Sequence, residues 1–320
     1  MKELAGGEKI AVDTIYFGGG TPSLLSGVQL ERIISSVREA FCVSDDSEIT
    51  MECNPSSPGL KELLKDASSL GVNRISLGMQ SFSDSERRKL GRAGGVSSVE
   101  NALSYVRGAG IDNISLDVMV GVPDSTVDSL KASLDFADSS GVPHISAYLL
   151  KIEEGTYFFR NAHKLNIPDE DETADMYLFM SEYLKEKGYL HYEVSNFCKE
   201  GFHSRHNMKY WEGVPYLGFG PAAHSFFSGK RFYFPSDISS FINGEKAVYD
   251  GEGGDGEESV LLGLRTYKGI SLSDKNEKFI KKAELFAENG FAKIKGERFS
   301  LTAEGFLLSN SIISELLNVY

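Results

Sequence analysis

The sequence predicts an α/β protein in which strands and helices alternate along the chain, as they do in parallel β/α barrels. The first observation is a set of five short apolar or β-branched runs, at 14–17, 48–53, 74–79, 113–120 and 144–150. The second is that segments with helical spacing of apolar residues separate these runs. The third is a polar side chain at or near the C-terminal end of several runs, where β/α barrels hold their ligands. We therefore expect an open or closed β/α barrel.

The first run ends in a loop that is almost without side chains, TIYFGGGTP over residues 14–22. Glycine lets main-chain groups approach a ligand closely and adopts positive φ without penalty. A small polar ligand can therefore lie directly on Gly18, Gly19 and Gly20. The alternative interpretation is a tight turn between a strand and a helix, which glycine-rich sequences also form.

The helices are predicted from their capping residues and their apolar stripes. Ser26 with Gln29, Ser83 with Glu86, and Ser97 with Glu100 have capping-box spacing. The stripes of the four long helices are Val28, Ile33, Ile34 and Val37; Leu60, Leu63, Leu64 and Ala67; Val99, Ala102, Leu103 and Val106; and Val127, Leu130, Leu134 and Ala137.

Three polar residues occupy similar places in successive units. Glu52, Gln80 and Asp117 each lie at or near the C-terminal end of a predicted strand. In a β/α barrel they would converge with the glycine loop on one mouth. Each also has a structural alternative, because Glu52 can cap the next helix, Gln80 can hold a loop, and Asp117 can pair with an arginine.

The composition indicates a soluble cytoplasmic protein. A formal net charge of −13 and a pI near 5.0 argue against a nucleic-acid surface, which requires clustered basic residues. No apolar stretch approaches the roughly 20 residues that span a bilayer, and the polar start of the chain lacks a signal-peptide core. Three widely spaced cysteines, Cys42, Cys53 and Cys198, indicate neither a disulfide framework nor a closed metal site.

A family resemblance joins these motifs. YFGGGTPS, ECNP, NRISLGMQSF, Gly91-Arg92, SLDVMVGVP and HISAYLL resemble, in order and spacing, the radical S-adenosylmethionine enzymes of the oxygen-independent coproporphyrinogen III oxidase family. Downstream, IPDEDE, HYEVSNF, RHNMKYW and YLGFGPAAHS resemble the haem chaperone branch of that family. The resemblance covers nearly the whole chain. It implies a partial (β/α)6 barrel, here lacking its first strand, and a small C-terminal winged-helix-like α+β domain.

The resemblance also implies residues that bind S-adenosyl-L-methionine. Beside Gly18, the backbone and hydroxyl groups of Gly19, Gly20 and Thr21 would bind its amino-acid end. Its ammonium group would be received by Glu52 and its carboxylate by Arg92, while Gln80 and Asp117 would bind its ribose. A zwitterion requires both charge signs in one site, and this set supplies both. The reaction chemistry would belong to the cofactors, and no catalytic side chain is identified.

One departure from the family concerns the four-iron, four-sulfur (4Fe-4S) cluster. Such a cluster needs three closely spaced cysteines, which this sequence lacks. The first residues resemble the helix that follows the cluster loop, so we expect the cluster only in a longer, full-length protein; the alternative is a degenerate homologue that binds without catalysis. We expect Cys42 to lie on a helix face and Cys53 to lie inside a strand, while Cys198 is far downstream in the sequence. We expect all three to be ordinary thiols.

A second departure follows Arg92. Relatives often carry a histidine shortly after this arginine, whereas this chain has Ala93, Gly94 and Gly95. The role of that histidine is therefore in question for this chain.

Four of the six histidines, His191, His203, His206 and His224, lie within 34 residues of one another. Zinc is one interpretation, although cysteine or carboxylate partners are missing from the spacing. Packing across the open side of the barrel is another. The third is haem, because His206, Asn207, Tyr210 and Trp211 resemble the haem-binding motif of the chaperone branch. Imidazole is a good axial ligand for haem iron, so His206 is the candidate ligand.

The C-terminal part changes in composition. An acidic, glycine-rich linker is predicted over 244–258, which separates a barrel with its extension, 1–243, from a small domain, 259–320. That domain has predicted helices near 258–266 and 274–288, a hairpin of 291–294 with 298–301, and a last helix after Thr302. The mixed charges on the second helix favour a solvated face over a nucleic-acid surface.

The sequence therefore predicts an S-adenosylmethionine- and haem-binding protein that hands haem to a partner protein. Haem or porphyrin and a haem-accepting protein are the expected partners, with nucleic acid excluded and peripheral membrane association open for a full-length protein. Two alternatives remain: a coproporphyrinogen III dehydrogenase that removes two propionate carboxyl groups, and a binding protein without catalysis. Whether the chain is an enzyme stays open.

Overall fold

The chain folds into two compact units in the computed structural model, which describes residues 9–320. One unit is the chain up to His191 together with Ser195–His203, and the other is Tyr192–Val194 with Ser204–Tyr320. The predicted boundaries at residues 243 and 258 do not coincide with this division. The interpretations of the first eight residues, as a start without a signal peptide and as part of the helix after a cluster loop, lie outside the described residues.

A seven-stranded sheet organises the first unit. Its strands are β1 (Ala11–Phe17), β2 (Cys42–Cys53), β3 (Arg74–Gln80), β4 (Asn113–Val120), β5 (His144–Leu149), β6 (Leu190–Glu193) and β7 (Asn196–Cys198). They lie in the order β1-β2-β3-β4-β5-β7-β6. The first five pair in parallel, and β7 pairs antiparallel with β5. All five predicted strands are present, and the parallel β/α class is confirmed.

Helices connect the parallel strands, as the alternating pattern predicts. They are α1 (Gly27–Ala40), α2 (Leu60–Ser69), α3 (Asp84–Lys89), α4 (Val96–Gly108), α5 (Val127–Ser139), α6 (Tyr157–Asn161) and α7 (Glu170–Glu186). The stripe predicted for α2 is buried in full. The stripe predicted for α1 is wrong in part, because Val28 is 75% exposed and Ile33 is also exposed. Leu30, Ile34 and Ala40 form the buried face of α1 instead.

The predicted helix caps have mixed outcomes. Ser26 and Gln29 form a reciprocal capping box. Ser83 caps α3, but the Glu86 carboxylate accepts from Ser81 Oγ at 2.6 Å, so that box is not reciprocal. The cap at Ser97 is wrong: α4 begins at Val96, whose backbone N–H donates to Asp84 Oδ1 at 2.9 Å. The Asp84 carboxylate of α3 therefore accepts the first N–H of α4, in place of the predicted Ser97 cap.

The two faces of the parallel sheet differ in chemistry. One face is apolar and buried, with Met51, Ile75, Leu77, Leu116, Val118 and Ile145 along its strands. The opposite, inner face carries polar side chains that the parallel register aligns in rows: Thr50, Arg74 and Asn113; then Glu52, Ser76, Ser115 and His144; then Asp117, Ser146 and Asn196. Parallel strands usually are apolar on both faces. The alternation here indicates that the inner face binds polar groups.

The second unit contains two small antiparallel sheets. Their strands are β8 (His224–Phe227), β9 (Lys230–Tyr233) and β10 (Val248–Glu252), in the order β10-β9-β8, and β11 (Ile270–Ser271), β12 (Ala292–Lys295) and β13 (Arg298–Leu301), in the order β11-β13-β12. Its helices are α8 (Arg205–Trp211), α9 (Ile238–Ile242), α10 (Gly256–Gly263), α11 (Glu277–Glu288), α12 (Ala303–Leu307) and α13 (Ser309–Leu317). Helices followed by the β12–β13 hairpin agree with the predicted winged-helix-like module.

The linker predicted over 244–258 is wrong. Val248–Glu252 forms β10, which pairs antiparallel with β9. Helix α10 then begins at Gly256, with the Asp255 side chain accepting from Glu258 N at 2.7 Å. In this acidic segment, residues 248–252 therefore pair with a neighbouring strand and Asp255 caps a helix. Among residues 9–320, no helix is both long and apolar enough to cross a membrane.

Candidate functional site

The glycine loop follows β1 directly and is bare for a physical reason. A Cβ atom on Gly18 would lie 2.7 Å from Tyr16 Cε1 and 2.8 Å from Glu52 Oε1, so a side chain has no room there. Gly19 has a φ of 80°, in the left-handed region that favours glycine. Cβ atoms on Gly19 and Gly20 would meet nothing within 4 Å. The loop backbone is therefore closed towards Glu52 and open at Gly19 and Gly20.

Serine side chains connect the glycine loop to the loop that follows β2. Ser23 is buried in the short 3-10 turn Pro22–Leu24, and its Oγ lies 2.7 Å from Ser57 Oγ. The same Ser23 Oγ accepts from Asn54 N at 2.9 Å. Thr21 precedes this turn, and its side chain does not cap it. The sequence analysis missed Ser23, for which only its place after the glycine loop is a signal.

Glu52 lies at the end of β2 and is held by Tyr16. The Tyr16 hydroxyl donates to Glu52 Oε1 at 2.8 Å. Burial, and then the charge of Glu52, raises the pKa of Tyr16, so the phenol stays protonated as a donor. The alternative that Glu52 caps the next helix is wrong, because Gly59 precedes α2 and no side chain caps it.

Asp117 lies on β4, and its hydrogen-bond donor is Ser76. Ser76 Oγ donates to Asp117 Oδ1 at 2.9 Å, whereas the structural alternative was a pair with an arginine. Burial raises the pKa of Asp117 to about 6, and the Glu52 charge adds to this effect. The Ser76 hydrogen bond and the charges of Arg74 and Arg92 act in the opposite direction. The carboxyl group therefore titrates just below neutral pH.

Gln80 ends β3 in an uncommon backbone conformation. Its φ is 71°, and the register with β4 shifts between Gly78 and Gln80. This conformation typically costs about 1–2 kcal/mol in a residue other than glycine. Arg87, only 1% exposed, donates from Nη1 to the carbonyl oxygen of Met79 and so holds the end of the strand. The strand end that carries the buried Gln80 side chain is therefore held by Arg87.

Arg92 brings a positive charge to the strand ends. It follows Gly91, which has a φ of 68°, and its N–H donates to Arg87 O at 2.9 Å. It is half-buried, and its charge lowers the pKa of Asp117. We call the loop Gly18–Thr21 with Glu52, Gln80, Arg92 and Asp117 the strand-end site. This site contains both charge signs and open backbone.

A buried polar network lies on the inner face beside this site, and the sequence analysis missed it. His144 Nδ1 lies 2.8 Å from Ser115 Oγ, which lies 3.1 Å from Ser146 Oγ. Burial, and then the charges of Arg74 and His203, lowers the pKa of His144, so its imidazole is neutral. The missed signal is the pairs of polar residues two positions apart in these strands: Arg74 and Ser76 in β3, Ser115 and Asp117 in β4, and His144 and Ser146 in β5.

The strand-end site fits S-adenosylmethionine, whereas the cysteines do not fit an iron–sulfur cluster. The site offers carboxylates, a guanidinium and open backbone to a zwitterion with a ribose. Cys42 is exposed at the start of β2, so its predicted place on a helix face is wrong. Cys53 and Cys198 are buried, and burial raises the pKa of each to about 12. Within residues 9–320, no group of three or more metal-ligating side chains is present.

Helix α8 carries the predicted haem motif. Ser204 caps it by accepting from Asn207 N at 3.3 Å. His206 Nε2 lies 2.8 Å from the Tyr210 hydroxyl, one helical turn away. Burial, and then Tyr216, raises the pKa of Tyr210 to about 12. Trp211 ends the helix and is half-buried. We call His206 and Tyr210 the α8 pair.

His191 and His224 have packing roles. His191 lies between Tyr177 Oη, 3.3 Å from Nε2, and Ser181 Oγ, 3.0 Å from Nδ1, and stacks on Phe197. His224 stacks on Tyr233. His191 and His203 lie in one unit, and His206 and His224 lie in the other. For these described residues, the packing interpretation suits His191 and His224, and the zinc interpretation gains no support.

Comparisons with known proteins give one consistent result. Residues 1–137 match the radical SAM superfamily. The chain is 32% identical to the heme chaperone HemW of Lactococcus lactis, over 95% of this chain and 84% of the relative. It is 34% identical to that of Bacillus subtilis, over 95% of this chain and 85% of the relative. The solved coproporphyrinogen III oxidase HemN of Escherichia coli, a radical SAM enzyme, aligns with a TM-score of 0.79 at 19% identity, over 96% of this chain and 78% of that one. The likeness to that structure confirms the predicted fold.

Proposed function

Because the chain belongs to the radical S-adenosylmethionine superfamily and, within it, to the family of the heme chaperone HemW, we propose that it is a haem chaperone. It binds haem or porphyrin and hands haem to an acceptor protein in the cytoplasm. The observation that carries this proposal is the similarity to chaperones of this name over 95% of the chain, which includes both units. A likeness confined to the barrel would support only a shared cofactor.

The strand-end site is the proposed S-adenosylmethionine site. When bound, this cofactor supplies a methionine zwitterion and a ribose, each with its own hydrogen-bonding demand. Glu52, oriented by Tyr16, accepts from the ammonium group, and Arg92 pairs with the carboxylate. Gln80 and Asp117 bind the ribose hydroxyls. The open backbone at Gly19 and Gly20, with Thr21, holds the amino-acid end.

The proposal contains no radical step. A 4Fe-4S cluster needs three thiolates close together, and the described residues do not provide them. The dehydrogenase alternative depends on that cluster and is supported here by the fold alone. Binding of S-adenosylmethionine and haem without catalysis is the second candidate, and it rests on the strand-end site and the α8 motif.

The α8 motif is the proposed haem site. His206 is the proposed axial ligand, and Tyr210 and Trp211 offer apolar ring surface to a porphyrin face. Asn207 lies beside them and is itself fixed by the Ser204 cap. Tyr210 is 39% exposed, so part of its ring is available to a ligand.

A haem titration followed by the Soret band tests the haem site. We expect His206→Ala to weaken binding and to change the band, because it removes the proposed iron ligand. His224→Ala is the matched control, since His224 lies in the same unit and only stacks on Tyr233. Equal spectra and affinities for the His206→Ala variant and the unmodified protein would remove His206 from the ligand role.

A further inference from the structure

The proposed iron ligand is already hydrogen-bonded at the nitrogen that haem would use. His206 Nε2 lies 2.8 Å from the Tyr210 hydroxyl, and the rings meet edge to face at 5.1 Å. The two residues are four apart on α8, so the helix itself holds them together. In a histidine side chain Nδ1 is bonded to the ring carbon that carries Cβ, so it lies closer to the main chain than Nε2 and leaves less room for a porphyrin. Nε2 is therefore the nitrogen that can reach haem iron.

Tyr210 is held in this place from its other side. Its ring packs perpendicular to that of Tyr216, with centroids 4.6 Å apart. Backbone hydrogen bonds in both directions with Phe226, of 2.7 and 3.0 Å, fix Tyr216. The Tyr216 hydroxyl accepts from Arg231 Nη1 at 3.5 Å, and Arg231 is ion-paired with Glu258. The Tyr210 side chain is thus supported where it meets His206.

In the tautomer that can bind iron through Nε2, this nitrogen carries no proton and the Tyr210 hydroxyl is the donor, so iron and the hydroxyl hydrogen compete for the same lone pair. A neutral imidazole nitrogen that accepts a hydrogen bond cannot donate that pair to iron at the same time. The raised pKa of Tyr210 keeps its hydroxyl proton in place near neutral pH. Binding through Nε2 therefore requires the hydroxyl to move away, which the partly exposed position of Tyr210 allows.

We propose that Tyr210 is a cap on the haem-binding nitrogen of His206, which weakens haem binding and returns to Nε2 when haem leaves. The inference rests on the proposed haem site. A chaperone must release its cargo, and a hydroxyl that rebinds the vacated nitrogen stabilises the haem-free state. The cap thus lowers affinity and favours transfer.

The test compares Tyr210→Phe with Tyr216→Phe in the full chain. Tyr210→Phe removes the hydroxyl and keeps the ring, so we expect haem affinity to rise roughly 3–10-fold, the effect of one hydrogen bond. We also expect slower haem transfer to apomyoglobin, used as a probe acceptor. Tyr216→Phe also removes a phenol hydroxyl but leaves the α8 pair intact, so its affinity should match that of the unmodified protein.

Four outcomes distinguish the possibilities. Higher affinity and slower transfer for Tyr210→Phe alone support the cap. Unchanged affinity overturns it, and lower affinity overturns it by making Tyr210 a group that supports or binds the iron. If His206→Ala leaves haem binding unchanged, the cap falls together with the proposed ligand; if His206→Ala weakens binding and Tyr210→Phe does not strengthen it, only the cap fails.

Discussion

The strand-end site and the α8 pair use opposite ways of placing polar groups. In the strand-end site, side chains come from three parallel strands whose register fixes their spacing. The half-buried Tyr16 and the buried Ser76 donate hydrogen bonds to the two carboxylates. In the α8 pair, two residues of one seven-residue helix contact each other and lie partly in solvent. The first depends on several strands and on charge, whereas the second depends on one turn of helix and on the Tyr216 ring that packs against Tyr210.

This difference predicts how strongly each site responds to pH and to the loss of a single side chain. Charges that lie close together under partial burial act strongly on one another, so the strand-end site should respond to pH and to the loss of a single carboxylate. A contact within one helical turn involves one neutral hydrogen bond, which contributes about 1 kcal/mol. Substitutions in the strand-end site should therefore have the larger effects.

Asp117→Asn should give the largest effect, seen as pH-dependent stability. The folded-state pKa of Asp117, about 6, lies above its usual value of 3.8, so the folded state binds the proton more tightly than the unfolded state. The unmodified protein then loses stability as pH rises from about 4 to 6, by up to about 3 kcal/mol. Asn cannot titrate, so the variant should gain this amount relative to the unmodified protein. Urea unfolding at pH 4 and pH 7 measures it; a constant difference between the proteins would contradict the raised pKa.

Glu52→Ala should reduce S-adenosylmethionine affinity about 30-fold, or about 2 kcal/mol, because a charge-assisted hydrogen bond to the ammonium group is lost. Calorimetric titration provides the measurement. Glu62→Ala is the control, since Glu62 is an exposed carboxylate in the first turn of α2. Equal affinities for the Glu52→Ala variant and the control would remove Glu52 from the strand-end site.

Gly18→Ala should reduce the same affinity about tenfold, because the new methyl group would push Glu52 and Tyr16 from their present positions. Gly20→Ala is the matched comparison, since its methyl group would meet nothing within 4 Å. We expect the melting temperature to fall for Gly18→Ala and to stay constant for Gly20→Ala. If both variants melt alike, the closed side of the loop is not at Gly18.

Ser204→Ala should give the smallest effect and tests the α8 pair. The Ser204 side chain caps α8, and loss of such a cap costs about 1 kcal/mol. We expect haem affinity to fall by a few-fold, because α8 frays at the end that carries His206. Thr302→Ala removes the cap of α12 and serves as the control. A fall of the same size in both variants would point to general destabilisation.

The strands and the strand-end residues were predictable because strong local signals coincide there. Asn113–Val120 was predicted with both its ends, since Gly110 precedes the strand and Gly121 follows it. Glu52, Gln80 and Asp117 follow from the rule that parallel strands end at one edge. The partners Tyr16 and Ser76 were missed, because their role depends on the neighbouring strand and not on their own segment.

The wrong predictions share a cause, which is a tertiary contact that overrides a local pattern. Ser97 has the spacing of a cap, but Asp84 of another helix accepts the first N–H of α4. Val28 and Ile33 look like core residues, but the buried face of α1 runs through Leu30 and Ile34. The acidic segment after 244 looks like a linker, but pairing with β9 makes it a strand.

The left-handed conformation of Gln80 has a consequence for how this protein can be improved. Glycine would relieve the backbone cost at this position, but it would also raise the entropy of the unfolded chain and remove the packing of a buried side chain. The same change would remove the side chain that the strand-end site presents at the end of β3. Glutamine at this position thus combines a backbone cost with a proposed role in ligand binding, and variants chosen for stability alone would lose that proposed role.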